Sequence, residues 1–388
     1  QFERLMSLYL APRQLKHRVA MKSKELLPPL PDVEEMRPFP TKCISRANFR
    51  ENPLKAVDVS PDGNFLLVVD EFNNVALLHT LLLRLVATLN VVSPNVLRAQ
   101  FTRRRGAMVV GEDCLDFFAL GTDRELFGEV TAAFAALRQH SVDEGISLSF
   151  PASDSADSPA AHGYIAHCCR VGFPGAKVRA ASLHHREEFL AVLCVRPDGA
   201  ELIRVLNLSK LTNTTITLRT KTRIEGIAFS PKHAHLLVMT RIYLYVYDLK
   251  KQEKVKRLIT GSQSLSCLAV HPGGGHLLLG AGDQQLLWYD LDWKDLPFRK
   301  MKVHGGALNA CRFSPHFRLF ASAADDGSVV VQFGKVDEVG FDSPVICPLK
   351  TLRGHRPVRS KGVTDLQFMG PTHWLASVGY DGNILLWG

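Results

Sequence analysis

A short pattern of apolar and polar positions recurs along the chain. In its clearest copies an apolar strand ends in Ser-Pro or His-Pro, a turn follows, and a second apolar strand begins. The clearest copies cover residues 56–63, 226–231, 267–272 and 310–315, and weaker copies centre on Phe101, Leu183 and Phe368. Each copy predicts two antiparallel strands joined by a tight turn.

The spacing of these copies indicates the fold class. The apolar residues that end the first strands are Val59, Phe101, Leu183, Phe229, Val270, Phe313 and Phe368, which lie 42, 82, 46, 41, 43 and 55 residues apart. A period of about 40–45 residues with several short strands per unit is typical of WD-repeat propellers. An Asp-containing turn before a strand with an aromatic residue, as in residues 381–387, fits the second half of such a unit. The pattern therefore predicts an all-β protein, a seven-bladed WD-repeat β-propeller.

The gap of 82 residues allows two interpretations, a degenerate eighth blade or an insertion. Residues 122–140 place their apolar side chains at helical rather than alternating spacing: Leu126, Phe127, Val130, Ala133, Phe134 and Leu137. Residues 153–159 then read as a short acidic linker without core-forming side chains. We therefore favour seven blades, with a partly helical insertion at residues 119–162 of blade two and residues 164–171 as its delayed fourth strand.

The two ends of the repeat array predict how the ring closes. The last unit stops at Gly388, directly after its third strand, and residues 41–49 before the first unit have strand-like alternation. We expect residues 41–49 to supply the missing strand, so that residues 41–388 form one propeller without free sheet edges. Residues 1–40 are expected to be an extended, basic, proline-rich arm with a short helix at residues 5–10, the remnant of a longer N-terminal region.

A structural hydrogen-bond network is predicted in the last blade. Four residues of the last unit have the types and spacing for it: His355, Ser377, Asp381 and Trp387. Other units are expected to lack the network, because Arg241 and Gln332 stand where the Asp and the aromatic residue would be.

The charge balance points to an acidic partner. The chain has 47 Lys and Arg against 38 Asp and Glu, a formal net charge of +9, and nucleic acid is the first candidate. We expect contacts with RNA from two groups of basic residues: Arg13, Lys16, Arg18, Lys22 and Lys24 in the arm, and Lys250, Lys251 and Lys254 in the repeats. No aromatic residues interleave with these clusters, so stacking of single-stranded bases is not expected.

Catalytic chemistry is not indicated. The chain has no phosphate-binding glycine loop and no HExxH or GxSxG motif, and we expect no cofactor, metal ion or small-molecule substrate. The eight Cys residues include no CxxC pair, a pattern typical of reduced intracellular thiols. No run of about 18 apolar residues is present, so a membrane-spanning helix is not expected.

A protein-interaction surface is predicted on one face of the ring. In a propeller, the turns after the first and third strands of every blade lie on the same face. Blade one has leucines in its third-strand turn and blade two has arginines in its first-strand turn: Leu81, Leu82, Leu83 and Arg84, with Arg103, Arg104 and Arg105. Because strand neighbours alternate faces, one or two leucines should be exposed unless the arm covers them. An apolar patch rimmed by arginine is typical of a protein interface.

Several segments resemble the block-of-proliferation family of WD-repeat assembly factors. The most specific are residues 8–13 (LYLAPR), 26–30 (LLPPL) and 37–41 (RPFPT), and residues 288–292 and 319–329 follow in matching order and spacing. The resemblance covers nearly the whole chain. It is weakest around residues 120–170 and in blade one, where Asp70-Glu71-Phe72-Asn73-Asn74 replaces the usual Asp-Gly turn.

The resemblance implies a non-enzymatic scaffold of the nucleolus or nucleus that acts in pre-ribosomal RNA processing and large-subunit assembly. The implied partners are pescadillo, bound through the N-terminal region, and a second WD-repeat protein, bound through the propeller, with pre-ribosomal RNA and large-subunit ribosomal proteins. It also implies later removal of the two WD-repeat proteins by the AAA ATPase midasin. A generic WD-repeat adaptor in chromatin or ubiquitin ligation is the alternative, and a propeller hydrolase is a third interpretation.

Overall fold

The computed structural model describes most of the chain. The described residues are 1–14, 34, 36–49, 52–91, 93–103, 106–121, 147–149, 159–160, 163–208, 213–216, 222–292, 295–335 and 345–388. Their strands form seven antiparallel sheets, which are the blades of a β-propeller. The predicted fold class and the choice of seven blades over eight are therefore confirmed.

The first four blades begin with the strand nearest the ring axis. Blade one contains β2 (Leu54–Val59), β3 (Phe65–Asp70), β4 (Val75–His79) and β5 (Arg84–Leu89). Blade two contains β6 (Val96–Phe101), β7 (Gly106–Gly111), β8 (Cys114–Gly121) and β11 (Gly163–Gly172), and the short strands β9 (Ser147–Ser149) and β10 (Pro159–Ala160) pair with β11. Blade three contains β12 (Lys177–Leu183), β13 (Phe189–Val195), β14 (Glu201–Asn207) and β15 (Asn213–Ile216). Blade four contains β16 (Ile224–Phe229), β17 (His235–Thr240), β18 (Tyr243–Asp248) and β19 (Glu253–Ile259).

The remaining blades follow the same plan. Blade five contains β20 (Leu265–Val270), β21 (His276–Ala281), β22 (Leu286–Asp290) and β23 (Arg299–Met301). Blade six contains β24 (Leu308–Phe313), β25 (Leu319–Ala324), β26 (Ser328–Lys335) and β27 (Val345–Arg353). Blade seven contains β28 (Val363–Phe368), β29 (Leu375–Gly379) and β30 (Asn383–Trp387), and its fourth strand is β1 (Cys43–Asn48).

The ring is closed by the two ends of the propeller segment. Strand β1 pairs antiparallel with β30, from Cys43 opposite Trp387 to Asn48 opposite Asn383. Backbone hydrogen bonds extend the pairing on both sides, because Thr41 and Lys42 donate to the Gly388 carbonyl and Phe49 donates to the Gly382 carbonyl. Blade seven is thus built from both ends of the propeller segment, and β1 covers the edge that β30 would otherwise leave open.

The core lies between neighbouring blades rather than at the axis. The second strand of each blade is nearly continuously apolar, as in β3 (FLLVVD) and β21 (HLLLGA), because adjacent sheets cover both of its faces. The outermost strands are partly exposed, as in β5 and β19. Blades one and seven share one such apolar cluster, which includes Leu66, Phe49 and Ile384.

The arm differs from the expected extended segment. Residues 1–14 contain α1 (Phe2–Gln14), which is longer than the helix predicted at residues 5–10 and includes Arg13. No glycine or β-branched residue lies in this stretch and Glu3 occupies the first turn, both of which favour a helix. The helix predicted for the insertion, at residues 122–140, lies outside the described residues.

Candidate interaction surfaces

The four network residues of the last blade lie together. The indole Nε1 of Trp387 donates to Ser377 Oγ (2.9 Å), which lies 2.8 Å from His355 Nε2. His355 Nδ1 lies 3.0 Å from Asp381 Oδ1. The indole N–H can only donate and the carboxylate can only accept. Trp387 therefore donates to Ser377, Ser377 donates to His355, and His355 donates to Asp381. The network connects the segment before β28 to β29, the following turn and β30.

Blade six contains a second network that the sequence analysis missed. His304 Nε2 lies 2.8 Å from Ser322 Oγ, and His304 Nδ1 lies 3.0 Å from Ser328 Oγ and 3.7 Å from Asp326. The expectation that other units lack the network was wrong for this blade. Gln332 occupies the position in blade six that Trp387 occupies in blade seven. Ser322 therefore has no indole donor, but it still pairs with His304. The signal in the sequence was the Ser322–Asp326 spacing, which equals that of Ser377 and Asp381.

Asp381 provides a test of the last-blade network. Burial alone would raise the pKa of Asp381, but hydrogen bonds from His355, Asn383 and the Arg356 backbone outweigh it and lower that pKa to about 2. A carboxyl pKa below the unfolded value stabilises the fold above about pH 4, and the contribution disappears as the pH falls towards 2. The difference in unfolding free energy between the wild type and Asp381→Asn is therefore expected to be about 2 kcal/mol at pH 6 and near zero at pH 2, measured by urea denaturation.

The control for that prediction is Asp283→Asn. Asp283 is exposed in the turn before β22 and has no place in either network. Its substitution should change the unfolding free energy by less than about 0.5 kcal/mol at any pH. A constant Asp381→Asn difference between pH 2 and pH 6 would show that the network does not depend on the ionised carboxylate.

The leucine turn of blade one is exposed at two of its three leucines. Leu81 and Leu82 have 54% and 72% of their surface exposed, and Arg84 is also exposed. Leu83 contradicts the expectation that it belongs to the surface, because it is only 8% exposed and packs in the core between blades one and seven. Its φ of 47° turns the chain so that this leucine faces inward.

The arginine turn of blade two lies on the same face as the leucine turn, because both turns follow odd-numbered strands of their blades. Arg103 is exposed, and its backbone N–H donates to Glu187 Oε1 in the corresponding turn of blade three. Arg104 and Arg105 lie outside the described residues. We call Leu81, Leu82, Arg84 and Arg103 the leucine–arginine face.

The predicted basic arm is described only in part. Lys16, Arg18, Lys22 and Lys24 lie outside the described residues, and Arg13 lies near the end of α1.

The helix exposes four large apolar side chains at helical spacing: Phe2, Leu5, Met6 and Tyr9. Further along, Met36 and Phe39 pack against the core between blades six and seven. The end of the arm is therefore bound to the propeller next to the ring closure.

The predicted basic cluster lies on the outer edge of blade four. Lys250 and Lys251 are exposed in the β18–β19 turn, and Lys254 is exposed on β19. Aromatic residues are present beside them, because β18 carries Tyr243 and Tyr245. Sequence reasoning considered only aromatic residues that interleave with the basic residues along the chain, and it missed these rings, which are adjacent to the cluster across the sheet.

A charged cluster lines the axis of the ring, and sequence reasoning did not single it out. Asp365 on β28 binds Arg312 of blade six (3.0 Å) and Arg98 of blade two (3.5 Å), and it accepts the backbone N–H of Val57. The residues around it line an open pocket of about 310 Å³. These contacts join four blades, so their clearest role is to hold the inner strands together.

Within the described ranges, no group of three or more His, Cys, Asp or Glu side chains is arranged to hold a metal ion. No helix in the described part of the chain is long and apolar enough to cross a membrane.

Two family models match the chain. Residues 1–40 match the BOP1NT (NUC169) domain, and residues 296–331 and 346–388 match the WD domain, G-beta repeat. The first match covers the arm and the second covers blades of the ring.

Curated relatives match along the whole chain. The Chlamydomonas reinhardtii protein named "Ribosome biogenesis protein BOP1 homolog" is 32% identical over 394 residues, covering 100% of this chain and 48% of its own length. The Phaeosphaeria nodorum protein "Ribosome biogenesis protein ERB1" is 31% identical (100% and 51%), and the human protein "Ribosome biogenesis protein BOP1" is 30% identical (100% and 51%). The chain spans about half the length of these relatives. With the arm domain, the WD repeats and the seven-bladed ring all present, this chain belongs to the Bop1/Erb1 family of WD-repeat proteins.

Proposed function

We propose that this chain is part of a non-enzymatic scaffold in large ribosomal subunit assembly and pre-rRNA processing. The observation that carries the proposal is the match, over the entire chain, to relatives named ribosome biogenesis proteins. The match includes the arm, which an ordinary WD-repeat adaptor does not need. A role of this kind implies work in the nucleolus and nucleus.

The leucine–arginine face is the proposed contact with a second WD-repeat protein. It combines apolar side chains exposed by 54% and 72% with flanking arginines, a composition that suits the centre and rim of a protein interface. Blades one and two supply all of it. Pescadillo is the second proposed protein partner and is assigned to the N-terminal region, of which the arm is a part.

The basic residues are the proposed contacts with pre-ribosomal RNA and ribosomal proteins. RNA affinity depends strongly on Lys and Arg that neutralise phosphates. The net charge of +9 and the exposed lysines of blade four support this assignment. In the arm the proposed contacts are Arg13, Lys16, Arg18, Lys22 and Lys24.

Sucrose-gradient sedimentation of cell extracts tests the proposal. The wild-type protein is expected to sediment with large-subunit precursors, identified by their pre-rRNA. Changing the five arm residues to Glu should move the protein to the light fractions without changing its melting temperature, because Met36 and Phe39, which join the arm to the core, are left unchanged.

A control with the same change of charge separates specific from general effects. Reversal of five exposed basic residues of the propeller should leave sedimentation close to wild type: Arg196, Arg241, Lys300, Lys302 and Lys350. Wild-type protein that stays in the light fractions would contradict the proposed role, and an arm variant that sediments like wild type would contradict the role of the arm alone.

A further inference from the structure

The outer edge of blade four carries two tyrosine rings, each with a cation over it. The guanidinium carbon of Arg257 lies 5.1 Å from the ring centroid of Tyr243, and Lys254 Nζ lies 5.2 Å from the ring centroid of Tyr245. The two ring centroids are 6.3 Å apart, with the ring planes inclined by 46°. We call these four residues the tyrosine–cation surface.

The register of the sheet explains why these groups share one face. Tyr243 and Tyr245 are two residues apart on β18, so both project from the same side of the blade. Arg257 of β19 pairs directly with Tyr245, and a bulge after Val246 brings Lys254 opposite Tyr247, again on that side. The side chains therefore converge through strand pairing, although 9 to 14 residues separate them in sequence.

The surface is accessible to a ligand. Lys254 and Arg257 are exposed, and both tyrosines are half-buried. Two apolar side chains beside it are also exposed, Val255 by 51% and Ile259 by 43%. Partly exposed rings and exposed apolar side chains thus lie next to exposed cations, an arrangement that a purely structural cation–π pair does not require.

The local charge is strongly positive. Residues 250–257 contain five Lys and Arg and one Glu, a net charge of +4. Lys250 and Lys251 extend the positive region to the turn before β19. An anionic chain that follows β19 would therefore meet cations along its length, with the planar groups beside it.

We propose that the tyrosine–cation surface binds single-stranded RNA. Bases stack on the tyrosine rings and on the Arg257 guanidinium plane, while Lys250, Lys251 and Lys254 neutralise phosphates. An acidic peptide would use the charges but would gain little from the planar groups, which is why the arrangement favours a nucleic acid. The inference rests on the proposed function, because it names how the RNA of a pre-ribosomal particle is held.

Binding of a fluorescein-labelled oligouridine to the 388-residue chain, followed by anisotropy at several salt concentrations, tests the inference. The variant Tyr243→Leu with Tyr245→Leu keeps the charge and much of the apolar volume. It is expected to lower the affinity about tenfold or more at every salt concentration, without changing the salt dependence. The variant Lys250→Gln with Lys254→Gln should reduce the slope of log K against log salt by about 1.4, the value for two phosphate contacts on a single strand.

The matched control is Lys300→Gln with Lys302→Gln. Both lysines are exposed in blade five, and the pair removes the same charge without touching a ring. Its affinity should stay within about twofold of wild type. Melting temperatures of all variants, compared with wild type, show whether each one is folded.

Three results would overturn the inference: a folded tyrosine variant that binds oligouridine like wild type, equally strong binding of duplex RNA, or a tyrosine variant that loses polyglutamate binding as much as RNA binding. A wild-type chain that binds no RNA would instead contradict the RNA contacts of the proposed function. The two failures are therefore distinguished by the wild-type measurement.

Discussion

A chain that begins at residue 51 is expected to be insoluble or to unfold without cooperativity. The deletion removes β1, the only strand paired with the outer edge of β30 among the described residues. It also removes Phe49, which is 8% exposed in the core between blades one and seven. Blade seven would keep three strands with an open edge, and such an edge promotes association between chains.

The measurement is soluble yield followed by thermal unfolding of residues 51–388. A chain of residues 36–388 is the matched control, because it lacks α1 but keeps β1, Met36 and Phe39. The control should be soluble and should unfold in a single transition. If residues 51–388 were soluble and unfolded just as cooperatively, closure by β1 would not be what holds the ring together.

The combined change Leu82→Asp and Arg104→Glu is expected to weaken binding of the second WD-repeat protein by about 2 kcal/mol or more. Leu82 is 72% exposed, so the free propeller should tolerate the substitution. In the complex the new carboxylate would be buried among apolar groups, and removal of a central contact typically costs this much. Calorimetry with the purified partner measures the effect.

A second double variant with the same change of charge serves as control. Leu296 is 56% exposed and lies on the same face as the leucine turn, but in blade five. Arg241 lies in an exposed turn of blade four. Leu296→Asp with Arg241→Glu should bind at wild-type strength. If a folded Leu82→Asp, Arg104→Glu variant did the same, the contact would have to lie elsewhere on the propeller.

The fold was predictable because the turns repeat. The apolar residue chosen from each copy of the pattern ends the first strand of its blade in all seven cases, from Val59 in β2 to Phe368 in β28. Proline fixes the backbone of many of these turns and glycine supplies the positive φ at Gly63 and Gly274, so the period stays visible where individual side chains vary. The 82-residue gap was also interpretable, since β8 and β11 pair across it.

The surfaces were less predictable because they depend on geometry that sequence does not show. Leu83 was expected beside Leu82, but a positive φ at a leucine is uncommon and cannot be read from residue type. His304 was missed because Gln332 replaces the expected aromatic residue. The rings of Tyr243 and Tyr245 meet Arg257 and Lys254 only through the register of β18 and β19.

Native purification tests the proposed role of this protein in large-subunit assembly. The tagged protein is purified from its own cells under native conditions, and the RNA and proteins that accompany it are identified. We expect to recover precursor RNA of the large ribosomal subunit together with a second WD-repeat protein and pescadillo. Recovery of chromatin or ubiquitin-ligase components without that precursor RNA would contradict it.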